Sequence, residues 1–305
     1  MTFFSLIIPA YNRERQLRRA VDSALAQDFA SFEVIVIDDA STDGTLAVAR
    51  SYADPRVRVV ARPVNGGPCP ARNAGVDAAR GQWLVMLDSD FSLRPGALTQ
   101  LHSWCEAAAP TTGNCISACT WDNGWVTPRP PPPATLDYRS YLVWLEKVEI
   151  PEYFNCIRRE VFSSLRYTAS RAWEASFHLE LARRWTLEFH AAPQVLVHTD
   201  ATNRLTSARG GSAARRMLVD APDRFADARE IVTAHGAELR RSAPTCFAGF
   251  YRECIKQALL CGDRGTALRL IREDGNATRW DARMLVIVAA GLVHRRVLAA
   301  LNARR

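Results

Sequence analysis

Four short apolar runs constrain the fold of this chain more than any other feature of the sequence. They read FFSLIIP, FEVIVID, VRVVA and WLVML, and turns and helical patterns separate them. Continuous apolar runs are typical of strands buried on both faces, and their alternation with helices favours a parallel sheet. We therefore predict an α/β fold, with a Rossmann-like and mostly parallel sheet flanked by helices.

The intervening segments carry helix signals. Asn12 stands where it can cap the first helix, whose apolar stripe recurs at helical spacing: Leu17, Ala20, Val21, Ala24 and Leu25. The segment PARNAGVDAARG predicts a short helix that ends at Gly81, and Pro95 is expected in the first turn of the next helix. PQVLVHTD reads as a last strand, and NRLTSARGGSAARR as a mobile Gly- and Arg-rich loop.

Polar residues follow the predicted strands. In an open parallel sheet the ligand crevice lies beyond the carboxyl ends of the strands. The residues at or just past those ends are Pro9, Tyr11, Asp38, Asp39, Asp88, Asp90 and His198. Their convergence on one edge of the sheet is therefore the first hypothesis for a functional site.

The stretch WLVMLDSDF ends a buried strand with two carboxylates, Asp88 and Asp90, separated by one serine. Such like charges repel each other, and a divalent cation removes that repulsion. Mg²⁺ and Mn²⁺ take oxygen ligands and commonly share a site with substrate phosphates. The alternative is that both residues only cap a turn.

Two further segments suit a nucleotide. VIDDASTDGT ends a strand with acidic residues, which can accept hydrogen bonds from a ribose or a base edge. For Asp43 the preferred interpretation is instead a residue at the N-terminus of the next helix. NGGPCPARNAG joins a glycine loop to a helix start, which lets backbone approach a phosphate; an ordinary turn is the alternative. Arg72 lies in its first turn.

Taken together, SLIIPAYNRERQLRRAVDSALAQ, FEVIVIDDASTDGT, NGGPCPARNAG and WLVMLDSD resemble the successive landmarks of the family 2 glycosyltransferases, which have the GT-A fold. The resemblance implies a nucleotide-diphosphate sugar donor and a divalent cation, Mn²⁺ or Mg²⁺. It assigns Asp90 and His198 to the metal; for His198, a contact to the diphosphate and an ordinary strand-end histidine are the alternatives. To the nucleotide sugar it assigns Pro9, Tyr11, Asp39, Asn65, Gly67, Arg72, Asp88 and Arg204.

The family's general base follows an acidic pair before a helix. Here RAWEASFHLELARRW reads Trp173-Glu174 at that place, so Glu174 takes the position of the catalytic base, with Glu in place of the commoner Asp. The alternative is a helix-start glutamate stabilised by the helix dipole. Arg209, like Arg204, is a candidate to stabilise the leaving diphosphate, with a solvated loop as the alternative.

Three segments organise the chain. We predict a nucleotide-sugar-binding half over 1–110, an acceptor-binding half over 111–216, and a helical C-terminal region over 217–305, with the proline run TPRPPPPA near the boundary between the halves. Trp121, Trp125 and Trp144 are candidates for stacking against an acceptor sugar, with core packing as the alternative. The C-terminal helices have basic flanks compatible with an anionic membrane surface; packing on the catalytic domain or a dimer contact also explains them.

Composition adds a formal net charge of +7 and eight cysteines. That charge suits polyanion contact or peripheral attraction to an anionic membrane. The cysteines show no C-x-x-C pair or zinc-type Cys/His spacing, so reduced and mostly buried thiols are expected. Neither a secretory signal nor a spanning segment is recognisable. We expect a cytoplasmic protein, with the inner face of the plasma membrane as its alternative location.

The resulting expectation is an inverting, metal-dependent hexosyltransferase. It moves a sugar from a nucleotide-diphosphate donor, by preference a UDP-sugar, to a hydroxyl of a saccharide or lipid-linked acceptor in cell-envelope polysaccharide or glycan synthesis. No nucleic-acid partner is expected, and the sequence does not define an oligomeric state.

The alternatives to this function are a non-catalytic sugar-nucleotide-binding module and a metal-dependent nucleotide or phosphate hydrolase. A dehalogenase-like hydrolase places its D-x-D on the first strand, whereas here it follows the fourth. A nucleotidyltransferase requires a Gly-rich, Lys-containing loop after the first strand, and none is present.

Overall fold

The computed structural model describes residues 2–168, 174–200, 211–274 and 282–293. The chain divides into two compact units. The first contains residues 1–167 and 177–201, and the second contains 168–176 and 202–305. All strands of the described residues lie in the first unit.

The first unit alternates strands and helices through its first half and then becomes richer in strands. Its strands are β1 (Phe4–Ala10), β2 (Phe32–Asp38), β3 (Val57–Ala61), β4 (Trp83–Met86), β5 (Phe91–Leu93), β6 (Thr112–Trp121), β7 (Val126–Thr127), β8 (Thr135–Leu136), β9 (Phe154–Arg158) and β10 (Thr186–Val197). Its helices are α1 (Glu14–Leu25), α2 (Thr45–Arg50), α3 (Pro68–Ala78), α4 (Ala97–Ala107), α5 (Tyr138–Lys147), a 3₁₀ helix (Arg159–Ser163) and α6 (Ala175–Arg184).

The ten strands form one sheet, in which β3-β2-β1-β4-β9-β6-β10-β5 is the main order. The pairs β1–β2, β1–β4 and β2–β3 are parallel. Strand β9 is antiparallel to both β4 and β6, while β10 runs parallel to β6. Strands β1, β2, β4, β6 and β10 therefore all point in one direction, and their carboxyl ends share one edge of the sheet.

Apolar layers cover both faces of this sheet because side chains alternate along each strand. In β1, Leu6 and Ile8 belong to the core cluster that includes α1 and α4, and Ile7 belongs to the cluster that includes α3 and α6. The predicted stripe of α1 is confirmed. Leu17, Ala20, Val21 and Ala24 are buried, and the partly buried Leu25 packs against the same core.

Several local predictions were wrong at the ends of elements. Asn12 does not cap α1, because the cap residue of that helix is Arg13. Asn12 instead has a φ of 52°, and its side chain accepts a hydrogen bond from the Thr42 amide at 2.8 Å. Helix α3 ends at Ala78, before Gly81. Gly81 instead packs against β1, where an added Cβ would lie 2.5 Å from the Ser5 nitrogen.

Further corrections concern later segments. Pro95 precedes α4, whose cap residue is Gly96. Strand β10 begins at Thr186, seven residues before the predicted PQVLVHTD, because its first half also pairs with β6. Of the predicted loop over 203–216, residues 203–210 lie outside the described residues, and the remainder is helical from Gly211.

The described part of the second unit is helical. Its principal helices are α7 (Gly211–Ser242), α8 (Pro244–Cys261), α9 (Arg264–Asp274) and α10 (Ala282–Val293). Helix α8 buries one face, which includes Phe247, Tyr251 and Cys254. Within the described residues, each helix is too short or too polar to traverse a lipid bilayer.

Candidate active site

The candidate site lies at the edge of the sheet where β1, β2, β4 and β10 end. The register pairs Ala10 with Asp38 across β1 and β2, and Ile7 with Met86 across β1 and β4. Tyr11, Asp39 and Asp88 consequently follow neighbouring strands at the same edge. The structure thus brings together polar strand ends that are far apart in sequence.

Asp90 and His198 are adjacent although 108 positions separate them in the sequence. Strand β5 begins directly after the D-x-D pair and runs antiparallel to β10, with Phe91 opposite Val197. The amide of His198 donates to the backbone oxygen of Asp90 at 2.9 Å. This pairing is the structural reason that the end of β10 reaches the D-x-D turn.

The environment of His198 favours a neutral imidazole. Burial, and then the positive charge of Arg19, lower the pKa of His198, while Asp200 and Asp122 act in the opposite direction. The His198 Nε2 atom lies 2.8 Å from Ser92 Oγ. A neutral ring retains a lone pair for a cation, and Asp90 offers carboxylate oxygens. The two side chains therefore fit a divalent cation such as Mn²⁺ or Mg²⁺.

Arg72 and Asp88 form an ion pair beside this turn. Arg72, buried within α3, donates from Nη2 to Asp88 Oδ1 at 2.6 Å. Its guanidinium carbon also lies 5.8 Å from the centre of the Tyr167 ring. The pair places a fixed positive charge next to the D-x-D carboxylates, which suits recognition of an anionic group.

Asp39 organises the glycine loop. Its carboxylate is buried and accepts from the amides of Gly66 and Gly67, at 3.1 and 2.7 Å, and from Arg62. Gly67 has a φ of 89°, which lies in the left-handed region that favours glycine. Ala40, next to Asp39, has a φ of 57°; such strain in a non-glycine residue is common at ligand sites.

The remaining predicted residues have different positions. Pro9 is half-buried within β1, Tyr11 is 41% exposed, and Asn65 is half-buried in the loop that precedes α3. Glu174 directly precedes α6 and is half-buried; it belongs to the second unit. The proposed arginines Arg204 and Arg209 lie outside the described residues, as does Trp173.

The three candidate tryptophans are not equivalent. Trp144 is buried, and its indole N–H donates to the Pro130 carbonyl at 3.0 Å, so this candidate was wrong and packing is its role. Trp121 is partly buried and donates to Thr127 at 3.0 Å. Trp125 is 50% exposed and remains the candidate for an acceptor sugar.

Sequence reasoning missed the residues that hold the site together. Arg62 binds Asp39, Ser92 contacts His198, and Thr199 is fixed by Asp122. Arg19 in α1 forms an ion pair with Asp200 at 2.9 Å. Each of these contacts either joins segments that are remote in sequence or lies in a turn without a characteristic motif. Ser92 was the exception, because its position beside the D-x-D pair was a sequence signal that it could belong to the site.

Comparison with known proteins identifies the class. The family model described as Glycosyl transferase family 2 matches residues 5–165, which is more than half of the chain. The chain belongs to this family. Its fold is the GT-A fold, since TarS from S. aureus in complex with UDP-GlcNAc superposes with a TM-score of 0.60 at 17% identity, covering 92% of this chain and 93% of that one.

Other relatives agree with this assignment. The mannosyltransferase PcManGT from Pyrobaculum calidifontis, in complex with GDP-Man and Mn²⁺, has a TM-score of 0.56 at 17% identity, covering 99% of this chain and 86% of that one. The succinoglycan biosynthesis protein ExoO of Rhizobium meliloti (strain 1021) is 45% identical over 104 residues, 34% of this chain and 30% of ExoO. A GalNAc(5)-diNAcBac-PP-undecaprenol beta-1,3-glucosyltransferase of Campylobacter jejuni subsp. jejuni is 36% identical over 120 residues, 38% of this chain and 39% of that protein.

The curated matches are partial. For ExoO and for the chondroitin and hyaluronan synthases of Pasteurella multocida, the matched region spans 30%, 10% and 10% of the relative's length. These three alignments cover 104, 96 and 96 residues, so the chain matches less than a third of each of these relatives.

Proposed function

We propose that the chain is an inverting hexosyltransferase that transfers a sugar from a UDP-sugar to a hydroxyl of a saccharide or lipid-linked acceptor. The observation that carries the proposal is the junction of β5 and β10, which sets His198 beside Asp90 at the edge where Arg72 and Asp88 are paired. A site that combines carboxylates, a neutral imidazole and a buried guanidinium suits a metal-bound diphosphate.

In the proposed reaction, Glu174 accepts the proton of the acceptor hydroxyl while the hydroxyl oxygen attacks the anomeric carbon of the donor sugar. The bond between that carbon and the diphosphate breaks, and UDP leaves from the opposite face, so the anomeric configuration inverts. A cation held by Asp90 and His198 would supply Lewis-acid stabilisation of the departing diphosphate. Arg72 holds Asp88 in place beside the donor, and Arg204 is proposed as a further diphosphate contact.

The proposed donor-binding residues lie near the same edge of the sheet. Pro9, Tyr11 and Asp39 are proposed to hold the nucleoside, with Asn65 and Gly67 in the loop that Asp39 organises. In this arrangement a bound uracil or ribose would replace some of the loop contacts now made by Asp39. TarS in complex with UDP-GlcNAc supports a uridine donor, and PcManGT in complex with GDP-Man and Mn²⁺ makes guanosine the competing nucleotide.

The acceptor is proposed to belong to cell-envelope polysaccharide or glycan synthesis, because relatives are described as a succinoglycan biosynthesis protein and an undecaprenol-linked glucosyltransferase. We also propose peripheral contact of the C-terminal helices with the inner face of the plasma membrane. Exposed arginines on α9, together with the net charge of +7, support this attraction.

The test is calorimetric titration of the purified protein with UDP, GDP and dTDP, with and without Mn²⁺. We expect UDP to bind with dependence on Mn²⁺, and Asp90→Ala to weaken that binding by roughly tenfold or more, which corresponds to about 1.4 kcal/mol. Asp77→Ala, which removes a 67% exposed carboxylate of α3, is the matched control and should bind as the parent does.

Turnover separates an enzyme from a binding module. We expect slow release of UDP from a UDP-sugar in the presence of Mn²⁺, strongly reduced in Glu174→Gln while UDP affinity is retained. If the protein binds the donor but does not turn it over with any acceptor tested, a non-catalytic binding module is favoured. Absence of nucleotide binding, or binding indifferent to Mn²⁺ and to Asp90→Ala, would overturn the proposal.

A further inference from the structure

A second group of metal-ligating side chains lies away from the D-x-D turn. The ligand atoms of Cys115, Glu188 and His190 all lie within 4.8 Å of one another. Cys115 is in the first half of β6, and six residues separate it from Trp121 at the carboxyl end of that strand. With a strand rise of about 3.3 Å per residue, the group is roughly 20 Å from that end.

Sheet register explains how these residues meet. Cys115 is the direct partner of Glu188 on β10 and also of Cys156 on β9. Cys156, Cys115 and Glu188 therefore form a row across three adjacent strands, and His190 follows two positions after Glu188 on the same face. Cys105 joins this row from α4: its Sγ lies 3.7 Å from Cys156 Sγ, and its thiol hydrogen-bonds with Cys115.

The neighbours of Glu188 and His190 fix their orientation. The His190 ring stacks on Trp104, with ring centres 3.9 Å apart and planes inclined by 2°. Among the described residues, the buried Nε2 atom of His190 has no hydrogen-bond partner. Thr112 donates from Oγ1 to Glu188 Oε1. A buried imidazole nitrogen without a partner is costly, and a cation would satisfy it.

We propose that Cys105, Cys115, Glu188 and His190 form a structural binding site for a soft divalent cation of the zinc class, which joins α4 to strands β6 and β10. Thiolate and imidazole ligands select zinc over the hard cations that a D-x-D pair prefers. A tetrahedral zinc ion with bonds of about 2.0 to 2.3 Å holds its ligand atoms roughly 3.3 to 3.8 Å apart. Side-chain movements of about 1 Å would bring Cys115, Glu188 and His190 to that spacing, and Cys105, which hydrogen-bonds with Cys115, would complete the site from α4.

Charge and access are consistent with such an ion. Two thiolates and one carboxylate around a divalent cation leave one negative charge. Arg158, fixed by its hydrogen bonds to the carbonyls of Thr112 and Ala109, supplies a compensating positive charge. Cys105 and Cys115 are buried, whereas Glu188 and His190 are half-buried, so solvent reaches the carboxylate and imidazole side.

Protons must leave when the ion binds. Burial raises the pKa of Cys105, while the Cys105 contact and burial raise the pKa of Cys115, so both thiols are neutral before binding. The cation displaces one proton from each thiol to solvent. Zinc affinity should accordingly increase with pH.

Cobalt substitution tests the site because Co²⁺ in a tetrahedral thiolate site shows ligand-field bands and a sulfur-to-cobalt charge-transfer band. The chelator-treated, reduced full chain is titrated with Co²⁺ and then with Zn²⁺. We expect one Co²⁺ per chain in a thiolate-ligated tetrahedral site with both band types, its displacement by Zn²⁺, and a higher melting temperature with Zn²⁺ than without it.

The variants separate this site from other thiols. Cys115→Ser should reduce the charge-transfer band, and Cys105→Ser/Cys115→Ser should abolish it. Glu188→Gln and His190→Gln, at half-buried positions, should weaken Co²⁺ binding at least tenfold and serve as the test if the cysteine variants fail to fold. Cys119→Ser changes an equally buried thiol four positions along β6 and should keep the bands. Asp90→Ala should also keep them. Missing bands in the parent, or bands of unchanged intensity in both Cys115→Ser and His190→Gln, would overturn the proposal.

Discussion

At the residue scale, the site depends on a few charged contacts between remote segments. Arg72 is 7% exposed and Asp88 is 34% exposed, so loss of either partner leaves the other charge poorly compensated. We expect Arg72→Gln and Asp88→Asn each to lower the free energy of unfolding by about 1–3 kcal/mol. The double variant should lose much less than the sum, because the second change removes a charge already unpaired.

Urea denaturation of the four proteins measures this coupling. The pair Arg56 and Asp54, at 34% and 26% exposure and 2.8 Å apart, provides a comparison cycle away from the site. Additive losses for Arg72→Gln and Asp88→Asn would show that the two side chains are not coupled, and that the ion pair itself does not stabilise the fold.

The Asp54 pair also yields a pH dependence. Hydrogen bonds from Arg56 lower the pKa of Asp54 to about 2, against about 3.9 for an unfolded aspartate. Since the folded pKa is the lower one, the stabilisation is present above about pH 3.9 and is lost as pH falls towards 2. Its size is below about 1 kcal/mol because water screens a partly exposed pair.

We therefore expect Asp54→Asn to be slightly less stable than the parent at pH 7, with the difference shrinking as the pH falls from 4 towards 2. Urea denaturation across this range measures it. Asp77→Asn, whose carboxylate is 67% exposed and 3.4 Å from Arg166, should match the parent throughout. A constant difference for Asp54→Asn would mean that its effect is not electrostatic.

At the element scale, the glycine loop before α3 depends on a backbone conformation that other residues adopt at a cost. Gly67 has a φ of 89° and a ψ of 179°, and its amide binds Asp39. We expect Gly67→Ala to lower the free energy of unfolding by about 1–3 kcal/mol and to weaken UDP binding. Thermal denaturation and calorimetry measure the two effects.

Gly249 is the matched control, because it lies inside α8 with nothing within 4 Å of an added Cβ. Gly249→Ala should stabilise the protein by up to about 1 kcal/mol, since alanine is the better helix former, and should leave UDP binding unchanged. If Gly67→Ala behaves like Gly249→Ala, the loop conformation is not required for the donor.

Elements with a strong local signal were predictable from sequence. Strand β2 coincides with FEVIVID because a buried parallel strand is a nearly continuous apolar run, which here is broken only by Glu33 before the terminal Asp38. The convergence of Asp90 and His198 was expected from the strand ends, although the short β5 that joins them was not. Gly81 was misjudged because its reason, close packing on Ser5 of β1, is tertiary. The row of Cys156, Cys115 and Glu188 depends on sheet register, which no local spacing reveals.

At the scale of the whole molecule, we propose that the C-terminal helices of the second unit determine location, whereas catalysis depends on the D-x-D turn of the first unit and on Glu174. The first unit contains the D-x-D turn and all strands of the described residues. In the second unit, Arg269 and Arg272 of α9 are exposed. Leu268, which directly precedes Arg269, is 39% exposed. Basic and apolar side chains on one surface suit an anionic lipid interface.

We expect the protein to co-sediment with vesicles that contain anionic phospholipid and not with neutral vesicles, and expect binding to weaken as salt shortens the Debye length. Arg269→Glu/Arg272→Glu should reduce binding by at least roughly thirtyfold, because each basic residue near an anionic surface contributes about 1 kcal/mol and the two introduced carboxylates are repelled by that surface. Arg80→Glu, an exposed arginine of the first unit, should bind as the parent does. Equal binding to neutral and anionic vesicles would indicate a purely apolar contact. Absence of vesicle binding at low salt would contradict the proposed membrane contact, but would not affect the proposal for donor binding.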